Sequence, residues 1–167
     1  ILLFIRGHVS DRLTGFFEAI TFTGSFRVLF SLATGATIAL LCMRRRFEAL
    51  LLATSAISAA TVVYVVKTAV GRVRPALWET EWYWGSSFPS GHTLVVAAFA
   101  IAAALCISRI WPGAREFVLW TAILWICLVA FSRLVLGVHW PTDVLVAACI
   151  GASLPLAMSV ALELRHA

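Results

Sequence analysis

In the stretch Phe131–Asp143, FSRLVLGVHWPTD, an arginine (Arg133), a histidine (His139) and an aspartate (Asp143) fall within a few helical turns of one another. His139 and Asp143 are four residues apart, the separation at which side chains meet across one helical turn. A carboxylate on one imidazole nitrogen fixes the tautomer and frees the other nitrogen to attack. Two further segments carry matching residue types: KTAVGRVRP holds Lys67 and Arg74, and FPSGH holds Ser90, Gly91 and His92. Lys67, Arg74 and Arg133 are three cations without enough nearby acid to neutralise them all. A phosphate is their natural counter-ion, because guanidinium forks grip its oxygens bidentately. Ser90–Gly91 opens a helix whose free N–H groups can also face an anion, and Gly91 permits close approach to the backbone. His92 suits a general acid that protonates a departing oxygen.

Each residue alone has a plainer reading. A single histidine near a membrane surface is ordinarily interfacial, and an arginine near a span end ordinarily snorkels. Three motifs delivered to one face weigh against that reading, since ionisable residues at such depth usually mark function. Arg72 matches no role in this scheme and reads as a solvated or lipid-headgroup contact. Glu79 and Glu81 read as loop solubility, with contact to the substrate as the alternative. Cys42, Cys106, Cys127 and Cys149 all fall in apolar runs without a C-x-x-C pair, and read as small buried hydrophobes.

The elements that must position these residues are membrane spans. The chain has 167 residues, 62% of them hydrophobic and only 13% charged, with a mean hydropathy of +0.97. So few charges cannot cover a soluble protein of this composition, and lipid is the expected solvent. The net charge of +5 does not argue for nucleic acid, because the arginines are scattered or sit between apolar runs, as membrane topology requires. Spans of about 20 apolar residues are expected at Phe26–Met43, Phe47–Val70, Thr93–Ile110, Phe117–Gly137 and Thr142–Leu162. Ile1–Ile5 reads as the stub of an earlier span, so a truncated first span is expected. Leu13, Phe16, Phe17 and Ile20 recur at helical spacing, with Asp11, Arg12 and Glu18 elsewhere on the wheel, predicting a short amphipathic helix in the interface.

Alternating spans put Arg44, Arg45, Arg46, Arg109, Arg115 and Arg165 on one side, which is then cytoplasmic. The loop Gly71–Ser90 and the link Gly137–Pro141 fall on the other side. Trp78, Trp82, Tyr83 and Trp84 suit an aromatic belt there, and Trp111 one at the opposite surface. Pro141 fits the first turn of the last helix. Small residues at 53–61, 97–104 and 151–153 allow close helix packing in lipid. Nothing divides the chain, and 1–167 is expected to be one domain.

Together, K-x6-R-P (Lys67 to Pro75), P-S-G-H (Pro89 to His92) and S-R-x5-H-x3-D (Ser132 to Asp143) resemble the three signature motifs of the type 2 phosphatidic acid phosphatase (PAP2) family. P-S-G-H alone would be weak; the set is specific. The resemblance implies an all-α, six-helix transmembrane bundle and hydrolysis of a lipid phosphate or diphosphate without metal or other cofactor. It implies that Lys67, Arg74, Ser90, Gly91 and Arg133 hold the phosphate, that His92 is the general acid, and that His139 is the nucleophile, oriented by Asp143. The partners expected are the bilayer and its lipid phosphates, with no nucleic acid and no obligate protein partner. Compact, basic, alanine-rich sequence suggests a bacterial inner membrane, with the site on the periplasmic side. The alternatives are a phosphotransferase to a lipid or sugar acceptor, a serine hydrolase using Ser90, and a non-enzymatic lipid-phosphate binder or transporter.

Overall fold

The computed structural model of the protein describes residues 1–77 and 85–166, and all regular structure among them is helical. The elements are α1 (Leu2–His8), α2 (Asp11–Thr23), α3 (Phe26–Cys42), α4 (Arg46–Val70), α5 (Gly91–Ile110), α6 (Arg115–Val135) and α7 (Pro141–His166), with a 3-10 turn at Pro112–Ala114 before α6. The apolar runs set these boundaries, and each expected span appears with ends shifted by a few residues. Ser25 caps α3, its side chain accepting from the Val28 N–H, as short hydroxyls do at helix starts. Pro141 opens α7 as expected, since its missing N–H would be unpaired there anyway.

Among the described residues, four helices are long and apolar enough to cross a membrane by themselves: α4, α5, α6 with its preceding turn, and α7. The fifth expected span differs. α3 has only 17 residues, and qualifies only together with α2, from which it is bent by 41°. α2 is therefore more than the surface helix its pattern predicts. Leu13 and Phe16 are exposed, but Phe17 packs edge-on against Phe131 of α6 and Thr21 is buried. Trp78, Trp82, Tyr83, Trp84, Glu79 and Glu81, and the side chains of Asp11 and Arg12, lie outside the described residues.

α5 is the central post, touching α3, α4, α6 and α7. Its inward face is small: Ala97, Ala98, Ala100, Ala102 and Ala104 are all buried. Large apolar side chains such as Phe117, Trp120 and Leu124 point outward, the arrangement expected where tails of lipid, as apolar as leucine, are the solvent. For the same reason three of the four cysteines are not buried as predicted; Cys42, Cys127 and Cys149 face outward and only Cys106 is interior. The tightest packing is at Gly151 of α7, where an added Cβ would lie 2.4 Å from the Leu94 carbonyl oxygen and 2.8 Å from Ala97 Cβ. At one end of the bundle Arg109 of α5 reaches both Glu48 of α4, at 3.8 Å, and Glu163 of α7, at 3.0 Å. The opposite ends of the same helices carry the polar cluster, so the helices alternate in direction as the topology required.

Candidate active site

The three motif segments meet at one end of the bundle. Lys67, in the last turn of α4, is buried, and its Nζ donates to the Ser86 carbonyl. The Ser86 hydroxyl returns a bond to the Lys67 carbonyl at 2.9 Å. Gly91 begins α5 beside this lysine: a Cβ there would lie 3.8 Å from Lys67 Cε. His92 follows, half-buried and within electrostatic reach of Arg133, His139, Lys67 and Arg74. Ser90, Arg133, His139 and Asp143 are almost wholly enclosed. Burial on this scale demands partners for each polar group.

Those partners fix the geometry. Arg74 NH1 donates to the Val138 carbonyl at 2.9 Å and to Nε2 of His139 at 3.3 Å. A guanidinium has no acceptor, so Nε2 must present its lone pair and Nδ1 carries the imidazole proton. Nδ1 lies 3.6 Å from Oδ2 of Asp143, longer than a made hydrogen bond, as is common before a substrate tightens a site. The Asp143 carboxylate is itself held on every side. Oδ2 accepts from the Ser87 hydroxyl and, at 2.9 Å, from the Trp140 N–H. Oδ1 accepts from Arg72 NH1 at 2.7 Å. Burial pushes the His139 imidazole down to about 4; the bond toward Asp143 opposes this, while Arg133, Arg74 and Lys67 reinforce it.

All eight predicted residues therefore come together. The structure adjusts two expectations. The Ser90 N–H donates to the Asp143 carbonyl at 3.2 Å and its hydroxyl pairs with Thr93 Oγ1 at 3.0 Å. One of the helix-start donors is thus used to join α5 to α7. Arg72, expected to be solvated or at lipid headgroups, instead pairs with Asp143, because Gly71 in the left-handed region (φ 64°) ends α4 and turns the chain back toward α7. Thr21, Ser86, Ser87 and Thr93 also join the cluster without having been foreseen. Thr21 accepts from Arg133 NH1 at 2.7 Å. Hydroxyl residues at these separations leave no pattern in a sequence; only the position of Ser86 and Ser87 just before the P-S-G-H motif hinted at them. No three His, Cys, Asp or Glu side chains among the described residues come together as a metal would require.

An α-helical bundle of spans that gathers two histidines and several cations at one end defines a multi-pass integral membrane protein. The PAP2 superfamily model matches residues 48–166, and the chain belongs to that family. It is 40% identical over 73 residues to phosphatidylglycerophosphatase B of Escherichia coli strain K12, a match covering 44% of this chain and 27% of that protein. The matched segment is thus little more than a quarter of that relative's length. The crystal structure of the transmembrane PAP2 type phosphatidylglycerolphosphate phosphatase from Bacillus subtilis superimposes with a TM-score of 0.90 at 25% identity, over 97% of this chain and 82% of that one. The structure of Aquifex aeolicus LpxE gives 0.74 at 25% identity, over 94% and 91%.

Proposed function

We propose that the protein hydrolyses a phosphomonoester or pyrophosphate of a membrane lipid through a phosphohistidine on His139. Candidate substrates are phosphatidylglycerophosphate, undecaprenyl diphosphate, phosphatidate and lipid A phosphate. The observation that carries this reading is the lone pair of His139 Nε2, presented inside a cage of Lys67, Arg74 and Arg133. Nε2 attacks phosphorus in line and the bond from phosphorus to the leaving oxygen breaks. The cationic cage stabilises the charge spreading over the phosphoryl oxygens. With the substrate's negative charge beside it, His92 holds a proton and gives it to the leaving oxygen. Water then attacks phosphorus, neutral His92 takes its proton, and the P–N bond breaks to restore His139. Arg74, which holds Nε2 in the resting site, turns from the imidazole to the phosphate as substrate arrives.

The basic residues at the far end of the bundle support a cytoplasmic location for that end and an extracytoplasmic one for the site. An apolar groove of about 400 Å³ between α3, α4 and α5, lined by Phe30, Ala56 and Phe99 among others, offers room for a tail. Such a groove gives little selectivity, because lipid tails leave an equally apolar solvent to occupy it; the phosphate is what the site reads. The test is phosphate release by the purified protein from these lipids, with trapping of a labelled intermediate that is stable in base and labile in acid, as a P–N bond is. Release that survives EDTA and disappears in His139→Ala is expected. Full turnover in that variant, or strict dependence on added Mg²⁺, refutes the reading.

A further inference from the structure

Arg72 occupies an unspecified position of the first motif, yet it makes a direct ion pair with the carboxylate of the third. Its NH1 reaches Asp143 Oδ1 at 2.7 Å and Thr142 Oγ1 at 2.8 Å. Its guanidinium sits 5.6 Å over the Trp140 ring, and its carbonyl accepts from the Ser87 N–H at 2.7 Å. Ser87 in turn donates its hydroxyl to the other carboxylate oxygen. Arg72 thus touches Thr142, Trp140 and Ser87 as well as Asp143 itself. A partly exposed surface arginine bound only to solvent would show none of this.

We propose that Arg72 is a positioning residue for the nucleophile: by clasping Oδ1 it aims Oδ2 of Asp143 at Nδ1 of His139 and offsets part of the carboxylate's charge. The carboxylate then orients the imidazole without drawing a proton onto Nε2. Among the described residues, the charged and titratable groups facing His139 are Lys67 from α4, Arg74 from the following segment, His92 from α5, Arg133 from α6 and Asp143 from α7. Of these only Asp143 favours the imidazolium, so whatever weakens its charge keeps the nucleophile neutral.

This inference rests on the hydrolase reading above. The experiment is the pH dependence of kcat/KM for lipid phosphate in wild type, Arg72→Gln and Arg72→Lys. Loss of the cation leaves Asp143 uncompensated, so the acid limb of Arg72→Gln should move up by about one pH unit. Its kcat should fall roughly tenfold or more from misplacement of the imidazole, with KM within about twofold of wild type. Arg72→Lys should return the limb to its wild-type position. A limb that does not move, or a loss confined to KM, overturns the proposal and makes Arg72 a headgroup contact. Should Arg72→Gln not fold, Thr142→Val decides: it removes the second anchor from an exposed position, and should lower kcat about twofold to fivefold at constant KM. No change in kcat there counts against the proposal. Wild-type protein that releases no phosphate instead refutes the hydrolase reading and is told apart from either result.

Discussion

The buried guanidinium of Arg133 donates to Thr21 Oγ1 at 2.7 Å, across 112 residues of sequence. α2 therefore supplies a residue to the proposed phosphate cage from outside the three motif segments. Thr21→Val keeps the shape and removes the acceptor. A hydrogen bond to a charged group contributes about 1.5 kcal/mol or more, so kcat/KM should fall close to tenfold. Steady-state kinetics on any accepted lipid phosphate checks this; an unchanged kcat/KM would mean that Arg133 needs no support from α2.

His92 is assigned to leaving-group protonation, and that role depends on the leaving group. A lipid alkoxide needs a proton as the bond breaks, whereas a nitrophenolate does not. His92→Ala should lower lipid phosphate hydrolysis by roughly 10²–10⁴, and affect the first step on p-nitrophenyl phosphate far less. Burst kinetics on the aryl ester isolates that step. Equal losses on both substrates would move His92 from acid catalysis to phosphate binding.

The depressed value of His139 has two consequences with the same sign. The free enzyme keeps a neutral nucleophile until the pH falls to about 4, so the acid limb of kcat/KM belongs well below the ordinary histidine range near 6.5. The unfolded chain takes up this proton from 6.5 downward while the folded one does not until about 4. Within that window the unfolded state binds more protons, and stability declines as pH falls. Melting curves in detergent at a series of pH values should show the decline in wild type and a weaker one in His139→Gln.

Gly151 and Gly35 provide a matched pair for packing. A side chain at Gly151 meets the Leu94 carbonyl and Ala97, whereas a Cβ at Gly35 meets nothing within 4 Å. Gly151→Val should destabilise the fold by about 1–3 kcal/mol through overpacking. Gly35→Ala should be neutral or stabilise by up to about 1 kcal/mol through helix propensity. Thermal unfolding in detergent distinguishes them.

Much of this architecture was legible from the chain. Apolar runs near the length of a bilayer marked α4 to α7, and charge at their ends placed Lys67, Arg74, His92, Arg133, His139 and Asp143 on one face. α3 was legible as an apolar helix but not as half of a bent pair, because the bend depends on how α2 packs against α6. Thr21, Ser86 and Ser87 were not visible, since a hydroxyl in a membrane chain has the same composition whether it bonds its own helix or a distant arginine. Thr54, Thr61 and Thr68 do the former, and nothing in the sequence separates them from Thr21. Arg72 was misread because its partner is 71 residues away.

α5 and α7 meet at two places where the main chain itself makes the contact: Ser90 N–H on the Asp143 carbonyl, and Gly151 against the carbonyl of Leu94. His92 and His139 ride on opposite banks of that seam. The spacing of the two backbones that carry them is therefore set largely by main-chain contact, like the fixed jaw of a calliper. Variation in α3, which lines the apolar groove, and on the outer face of α2 can change which lipid arrives. A chimera bearing a relative's α2 and α3 should accordingly change substrate preference while its pH profile stays put. The seam separates the choice of lipid from the gap that receives phosphorus, so the first can diverge while the second is inherited whole.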